Sequence, residues 1–324
     1  MTNDAHGNIT RRDMLRAAGI ISGGVIAAEL LPRSAFAWAQ PKAVADPVDQ
    51  MRAQMALRPI ESVGLNGGMT MLSGPGGNVV VLAGKDGKVV VDGFVKPAYP
   101  KLKQMLDGMN RAPVKVLIDT HWHFDHSDNN ANFRHAGAKV LAHENTKKRL
   151  GEAHDMLGMH FNAAPSAAWP TESFHAARTI SANGETLELS HVPPAHTDTD
   201  IFVHYTKANV LHVADVFFNG VYPFIDQGTG GNINGMISAV DIALQKTDEK
   251  TQIVPGHGPL GDKAALRKYR DVLSTVRDRV QKLKSEGKSL TEAQAAKPTA
   301  EYDATWGKGL VNADNFVGFV YSTL

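Results

Sequence analysis

An α/β fold with mixed or parallel sheet pairing and helices on its faces is what the sequence predicts, and three observations predict it. Short apolar runs separated by turn residues come first, strand-like and helix-like segments then alternate, and two later stretches keep a 3.6-residue apolar period. The 324 residues are 43% hydrophobic and 21% charged, enough to bury one large core or two small ones. That composition excludes a disordered chain, a collagen-like repeat and a coiled coil.

Residues 1–39 stand outside this pattern. They carry Arg11-Arg12, an apolar run from Ala17 to Leu31 interrupted by Ser22, glycines and Glu29, and then Ala35-Phe36-Ala37-Trp38-Ala39. Paired arginines, a moderately apolar stretch and an A-x-A site are the parts of a twin-arginine export signal, cleaved after Ala37 or Ala39, so a periplasmic location is expected. The run is too short for a membrane span and holds a glutamate, so no membrane association is expected once the signal is removed. Removal takes Arg11, Arg12, Arg16 and Arg33 against Asp4, Asp13 and Glu29 and leaves a formally neutral chain, which has no field to hold a nucleic acid.

Residues 40–66 read as a lead-in with weak helical patterning that packs on the outside. From there Met69–Ser73, Asn78–Ala83 and Lys88–Asp92 are strands, separated by Gly74-Pro75-Gly76-Gly77 and Lys85-Asp86-Gly87. Pro97–Met109 is a helix, Val114–Asp119 a strand, Asn129–His135 a helix, Ala138–His143 a strand, and Glu144–Leu150 opens another helix. Residues 151–178 have no sustained period, which in a compact domain usually marks a functional or disordered loop. Strands return at Thr186–Ser190, Ile201–Tyr205, Val210–Ala214 and Gln252–Pro255, with a glycine-rich loop at Asn219–Asn232. The helix after that loop is amphipathic through Met236, Ile237, Val240, Ala243 and Leu244. The one after Asp262 is amphipathic through Leu266, Tyr269, Leu273, Val276, Val280 and Leu283, and stops at Gly287. Ser289 and Glu292 form a capping box for a short helix beyond it.

The chain has no cysteine, so disulfides, thiolate ligands and a cysteine nucleophile are excluded and any metal must be held by histidines and carboxylates. Directly after the Val114–Asp119 strand comes Thr120-His121-Trp122-His123-Phe124-Asp125-His126. Nothing about a turn selects three histidines and a carboxylate, each of which needs a partner when buried. In an extended segment His121 and His123 point the same way and can share one ion; Asp125 and His126, beyond the bend, can serve a second. His196, Asp215 and His257 complete the set, each expected just past the end of a strand, which is where α/β folds gather site residues.

These residues resemble the metallo-β-lactamase superfamily pattern H-x-H-x-D-H, then a distant His, a bridging Asp or a Cys, and a last His. The resemblance covers about Gly67 to Gly258. It implies an αββα sandwich of two mixed β-sheets flanked by helices over residues 67–260, followed by a C-terminal helical extension over 261–324. It also implies that His121, His123 and His196 hold a first metal, that Asp125, His126 and His257 hold a second, and that Asp215 bridges them. Imidazole and carboxylate donors suit zinc, so two Zn2+ per chain are expected, with iron possible. Asp125 is expected to orient a metal-bound hydroxide as well as to ligate. Asp92 resembles the superfamily's strand-end aspartate, with an orienting role favoured over ligation, and His143 reads as a helix cap.

The implied activity is that of an exported dinuclear zinc hydrolase whose metal-bound hydroxide attacks an ester, lactone or lactam carbonyl, with β-lactams included. A glyoxalase-II-like thioesterase and an iron-dependent persulfide dioxygenase-like oxidoreductase are alternatives within the superfamily; a non-catalytic metal-binding protein is a third. Cys-containing lactamases are excluded by composition, and Phe218 stands where they carry a lysine and where related lactonases carry a tyrosine. Three segments are expected around the mouth: the Ser73–Asn78 turn, residues 151–178 and the Asn219–Asn232 loop. They would offer Met156, Met159, Phe161, Trp169, Phe218, Tyr222 and Phe224 to a small-molecule substrate with an apolar body.

Overall fold

A computed structural model describes residues 46–324, which belong to one compact unit. The export signal expected over residues 1–39 lies outside the described residues. Two sheets form the centre. The first has seven strands in the order β1 (Glu61–Gly64), β2 (Thr70–Gly74), β3 (Gly76–Gly84), β4 (Gly87–Val91), β5 (Val114–Ile118), β6 (Lys139–His143) and, at the far edge, β9 (Glu172–Phe174). Pairing is antiparallel from β1 to β4 and parallel from β4 to β9. The second sheet has five strands, β10 (Ala177–Ala182), β11 (Glu185–His191), β12 (Ile201–Tyr205), β13 (Val210–Phe218) and β14 (Gln252–His257), antiparallel except for the parallel β13–β14 pair.

The period-2 alternation of the strands decides which layer each side chain joins. Val80, Val89, Val91, Ile118 and Leu141 of the first sheet face Leu187, Leu189, Val203, Val210 and Val254 of the second, and this is the core between the sheets. Their neighbours Val79, Val81, Val90, Leu117 and Val140 face outward and are covered by Leu102 and Leu106 of α2 (Tyr99–Met109) and Phe133 of α4 (Asn130–His135). Phe202, Leu211 and Val213 of the second sheet are covered by α6 (Ile233–Lys246) and α7 (Lys263–Ser285), through Met236, Val240, Leu266, Leu273 and Val276. The result is the αββα sandwich. No helix among the described residues is long and apolar enough to cross a membrane.

The helix ends follow local chemistry. Asp262 caps α7 through the amide of Ala265, and the helix gives way to Gly287, whose φ of 79° favours glycine. Ser289 and Glu292 make the expected capping box for α8 (Leu290–Ala295). Two further helices follow, α9 (Ala300–Trp306) and α10 (Ala313–Ser322).

Several expectations need correction. Residues 151–178 are not without structure of their own: they hold a hairpin, β7 (His154–Met156) and β8 (Met159–Phe161), and the edge strand β9. Strands of three residues are too short for a period to show. Strand β10 was not expected because it is a mostly exposed edge without apolar alternation. The lead-in contains α1 (Pro47–Ala56), capped by Asp46, and then β1, which pairs at the edge of the first sheet. Strands β13 and β14 run past their expected ends, so Asp215 lies inside β13 and His257 is the last residue of β14. The β13–β14 register shifts around Ala214, whose φ is 46°, and this irregularity turns Asp215 out of the regular ladder.

Candidate metal centre

The crowded segment leaves the end of β5 and makes one bend before α3 (Phe124–Ser127). Asp92, held at φ 64° at the end of β4, accepts from the Thr120 amide and hydroxyl, both at 2.8 Å, and so fixes the start of that bend. The Ser127 hydroxyl donates to the carbonyls of Trp122 and His123 and closes it. On the second sheet, Asp200 Oδ2 accepts from the amides of His196 at 2.8 Å and Thr197 at 2.9 Å, which sets the turn that presents His196.

These supports bring all the sequence-named donors together. His121, His123, His196 and Asp215 form one group with donor atoms within 4.8 Å of one another, and Asp125, His126 and His257 form a second. His123 Nδ1 lies 2.9 Å from His196 Nε2, and Asp215 Oδ2 lies 3.5 Å from His196 Nε2 and 4.0 Å from His121 Nε2. On the other side Asp215 Oδ1 is 3.1 Å from His126 Nε2, while His257 Nε2 is 3.4 Å from both Asp125 Oδ2 and Asp215 Oδ2. Two donors bonded to one tetrahedral zinc at about 2.0–2.1 Å sit roughly 3.3 Å apart, so these separations suit ion coordination. Asp215 stands between the two groups.

The donors also fail to satisfy one another. His121 Nε2 is buried with no hydrogen-bond partner, a cost of about 1–3 kcal/mol that a bound cation would relieve, and His126 Nε2 and Asp215 Oδ1 have only each other, at 3.1 Å. Burial holds His121 well below the usual imidazole range, helped by His126, and burial brings His196 down to about 4, so both present neutral lone pairs. Burial opposes charge at Asp215 too, but His257, His126 and His196 outweigh it and hold the carboxyl well below its ordinary value. The residues present therefore fit a pair of divalent cations.

The atoms facing away from the centre are each tied down. His126 Nδ1 is 2.7 Å from Asp92 Oδ2, His123 Nε2 is 3.1 Å from Asp226 Oδ2, His121 Nδ1 is 3.1 Å from the Thr120 hydroxyl, and His196 Nδ1 is 2.8 Å from the Phe224 carbonyl. Such contacts fix the ring orientation and the tautomer. Asp92 thus steers His126 and joins neither donor group. Access is from one side. The side chains of His257 and Asp125 retain 29% and 12% exposure, whereas His121, His126 and His196 are buried.

Sequence reasoning missed Asp226, Asp200 and two glycines. A Cβ at Gly77 would overlap the His126 ring, and one at Gly256 would overlap Asp215 Oδ1, so both positions must be bare for the donors to meet. Asp226, Gly77 and Gly256 act on residues far away in sequence and carried no local signal, whereas Asp200 lies four residues after His196 and holds that turn through its amides.

The aromatic wall is narrower than expected. Phe218 stacks on His257 at 5.3 Å, and Phe224 lies 5.8 Å from His123 and 5.9 Å from His196. Tyr222 does not face the site: it stacks on Phe316 and its hydroxyl donates to Asp303 in the C-terminal core. Phe161 packs on Phe124, and the Trp169 indole donates to the Ala164 carbonyl. His154 lies 4.3 Å from the Trp122 ring, and His160 pairs with Asp155 at the surface. His143 caps α5 (Glu144–Leu150) as expected and stacks on His191 at 3.7 Å, away from both donor groups.

Comparison with known proteins agrees with this architecture. A family model described as the metallo-β-lactamase superfamily matches residues 72–257. A metallo-β-lactamase from Pontibacter korlensis superposes with a TM-score of 0.58 at 19% identity, over 67% of this chain and 99% of that one. A stereoselective inverting sec-alkylsulfatase from Pseudomonas sp. gives 0.61 at 16% identity, over 78% of this chain and 48% of that one. The alpha subunit of a 2,4-dinitroanisole O-demethylase from Nocardioides sp. (strain JS1661) is 24% identical over 143 residues, 44% of this chain and 41% of its own length. The match thus spans about two fifths of that curated relative.

Proposed function

Because the chain belongs to the metallo-β-lactamase superfamily, which includes metal-dependent hydrolases, we propose that it is a two-metal hydrolase of an ester, lactone or lactam. The observation that carries this reading is the meeting of two donor groups at Asp215, with the buried His121 Nε2 left without a hydrogen-bond partner. His121, His123 and His196 would hold one ion and Asp125, His126 and His257 the other, with Asp215 shared; a donor set of imidazoles and carboxylates favours zinc. When bound, such ions supply a water ionised near neutral pH and polarise the carbonyl it attacks.

The chain's own groups do the rest. Asp125 Oδ2, beside the accessible His257, orients the attacking water and holds its proton for the leaving group. Asp92, Asp226 and the Phe224 carbonyl keep His126, His123 and His196 pointed inward, so the donors are arranged before substrate arrives. Phe218 and Phe224 flank His196 and restrict water around the reacting bond.

The names of the relatives point to different bonds, a lactam, an alkyl sulfate and a dinitroanisole, so the superfamily alone does not choose the substrate. The rings of Phe218 and Phe224 beside the donor histidines support a substrate with an apolar body. Turnover of a chromogenic ester and a cephalosporin by zinc-loaded and chelated protein tests the reading, with Asp125→Asn expected to lower kcat by orders of magnitude. A zinc-loaded protein inert toward every ester, lactone and lactam overturns it. The Arg11-Arg12 pair supports export; mature protein starting at Trp38 or Gln40 in a periplasmic fraction is the expected result, and retention of full-length chain in the cytoplasm would count against it.

A further inference from the structure

Resting on that hydrolase reading, we propose that a cavity between the β7–β8 hairpin and the C-terminal helices takes an uncharged or cationic arm of the substrate, whose reacting bond lies over the histidine cluster. The cavity measures about 440 Å³, the size of a small-ligand site. Leu157 of the hairpin forms one wall, Leu290 of α8 and Gly318 and Phe319 of α10 the opposite one, and Phe224 and Asp226 the floor. That floor is shared with the metal centre. The Phe224 ring lies within 6 Å of the His123 and His196 rings and 5.3 Å from Phe319, and Asp226 Oδ2 is 3.1 Å from His123 Nε2. One aromatic ring therefore separates the cavity from the ligand histidines.

Two independent features mark the cavity as built for an apolar guest. Leu157 occupies the first of two left-handed positions in the hairpin turn, with φ 55°, before Gly158 at 73°. That position suits asparagine, aspartate or glycine, and a leucine there is strained and 37% exposed. Leu290 faces the same space and is also 37% exposed, although few large hydrophobic side chains are exposed among the described residues. Two leucines left open on opposite walls, one of them in a conformation that disfavours it, are accounted for by a ligand that covers both.

Charge sets the polarity of that guest. No lysine or arginine lines the cavity, while Asp155, Asp226 and Asp314 do, so an anionic arm meets like charge and finds no cation to pair with. The family match ends at residue 257, so the wall made by α8 and α10 lies outside it.

The test is a series of p-nitrophenyl esters with the zinc-loaded protein: acetate, hexanoate, and the adipate monoester, which is as long as hexanoate but ends in a carboxylate. The expected kcat/KM rises by about fourfold for each methylene that enters the cavity, and falls back for adipate. A Cβ at Gly318 meets only Gln294 Nε2, at an ordinary contact distance of 4.0 Å, and Gly318 is helical, so Gly318→Leu fills the cavity without disturbing the fold and lowers the hexanoate-to-acetate ratio about tenfold. Leu157→Asn suits the left-handed turn better than the native residue, holds or raises Tm, and lowers the same ratio. A ratio unchanged in both variants, or adipate used as well as hexanoate, overturns the proposal. Should no ester be turned over, the hydrolase reading fails while the cavity stays testable by calorimetric titration of N-hexylacetamide, a neutral amide. Binding weakened by Gly318→Leu supports the cavity assignment, and equal or absent binding in both proteins overturns it.

Discussion

Asp92 makes three contacts at 2.7–2.8 Å, two to Thr120 and one to His126, with no exposure to solvent. A carboxylate so placed decides which nitrogen of His126 faces the centre. Asp92→Asn offers an amide nitrogen where an acceptor is required, so metal affinity should fall about 10- to 100-fold while the fold persists, as read by chelator competition beside circular dichroism. Unaltered affinity would show that His126 needs no steering. His143 gives a residue-scale prediction of a different kind. Burial, and then the stacked His191 ring, hold it below the ordinary imidazole value. In the unfolded chain it binds a proton near pH 6.5, and the folded chain resists that proton. Its contribution to stability is therefore whole above about pH 6.5 and is lost as pH falls from there through the lowered folded value. His143→Asn keeps an acceptor for the Asn145 amide, and the gap in urea midpoint between wild type and variant should narrow on going from pH 7.5 to 5. A gap constant with pH would contradict the sign.

Strands β13 and β14 bring Asp215 and His257 side by side only because Gly256 has no side chain. Gly256→Ala forces the aspartate aside, so metal content should drop sharply with little change in far-UV circular dichroism; full metal content in the variant would show that the strand yields instead. Asn78 of β3 reaches across the sandwich and donates to the carbonyls of Pro255 and Gly258 at 3.0 and 2.9 Å. Losing it strands the buried Pro255 carbonyl, and Asn78→Ala should cost about 1–3 kcal/mol in urea unfolding. At this scale the limits of sequence reading are visible. The run from His121 to His126 was legible because that much metal chemistry in one bend has few structural uses. Gly256 and Asn78 were not, since their partners are more than 40 residues away in sequence and no local pattern encodes them. The β7–β8 hairpin was hidden because its turn is Leu-Gly rather than Asn-Gly, and β10 because an exposed edge strand need not alternate. Strands β5, β6 and β12 were legible to within a residue, their apolar runs being bounded by turn residues or histidines.

Across the whole molecule the donors are divided: His121, His123, Asp125 and His126 follow β5 of the first sheet, and His196, Asp215 and His257 belong to the second sheet and its connections. A cation held by both groups binds the sandwich together, and one present at a hundredfold excess over its dissociation constant adds about 2.7 kcal/mol to stability. Chelation should therefore lower Tm by roughly 5–10 °C for a domain of this size, reversibly on adding zinc back. Equal melting with and without chelator would mean that no ion bridges the sheets. The division also has a consequence in time. During synthesis the four donors that follow β5 are made well over a hundred residues before His257, so a nascent chain offers an ion only part of its cage. Tight capture must wait for the last strand of the second sheet to dock, and ion retention then reports that both halves have assembled. A trafficking route that admits only finished molecules could read that report as a certificate of completion.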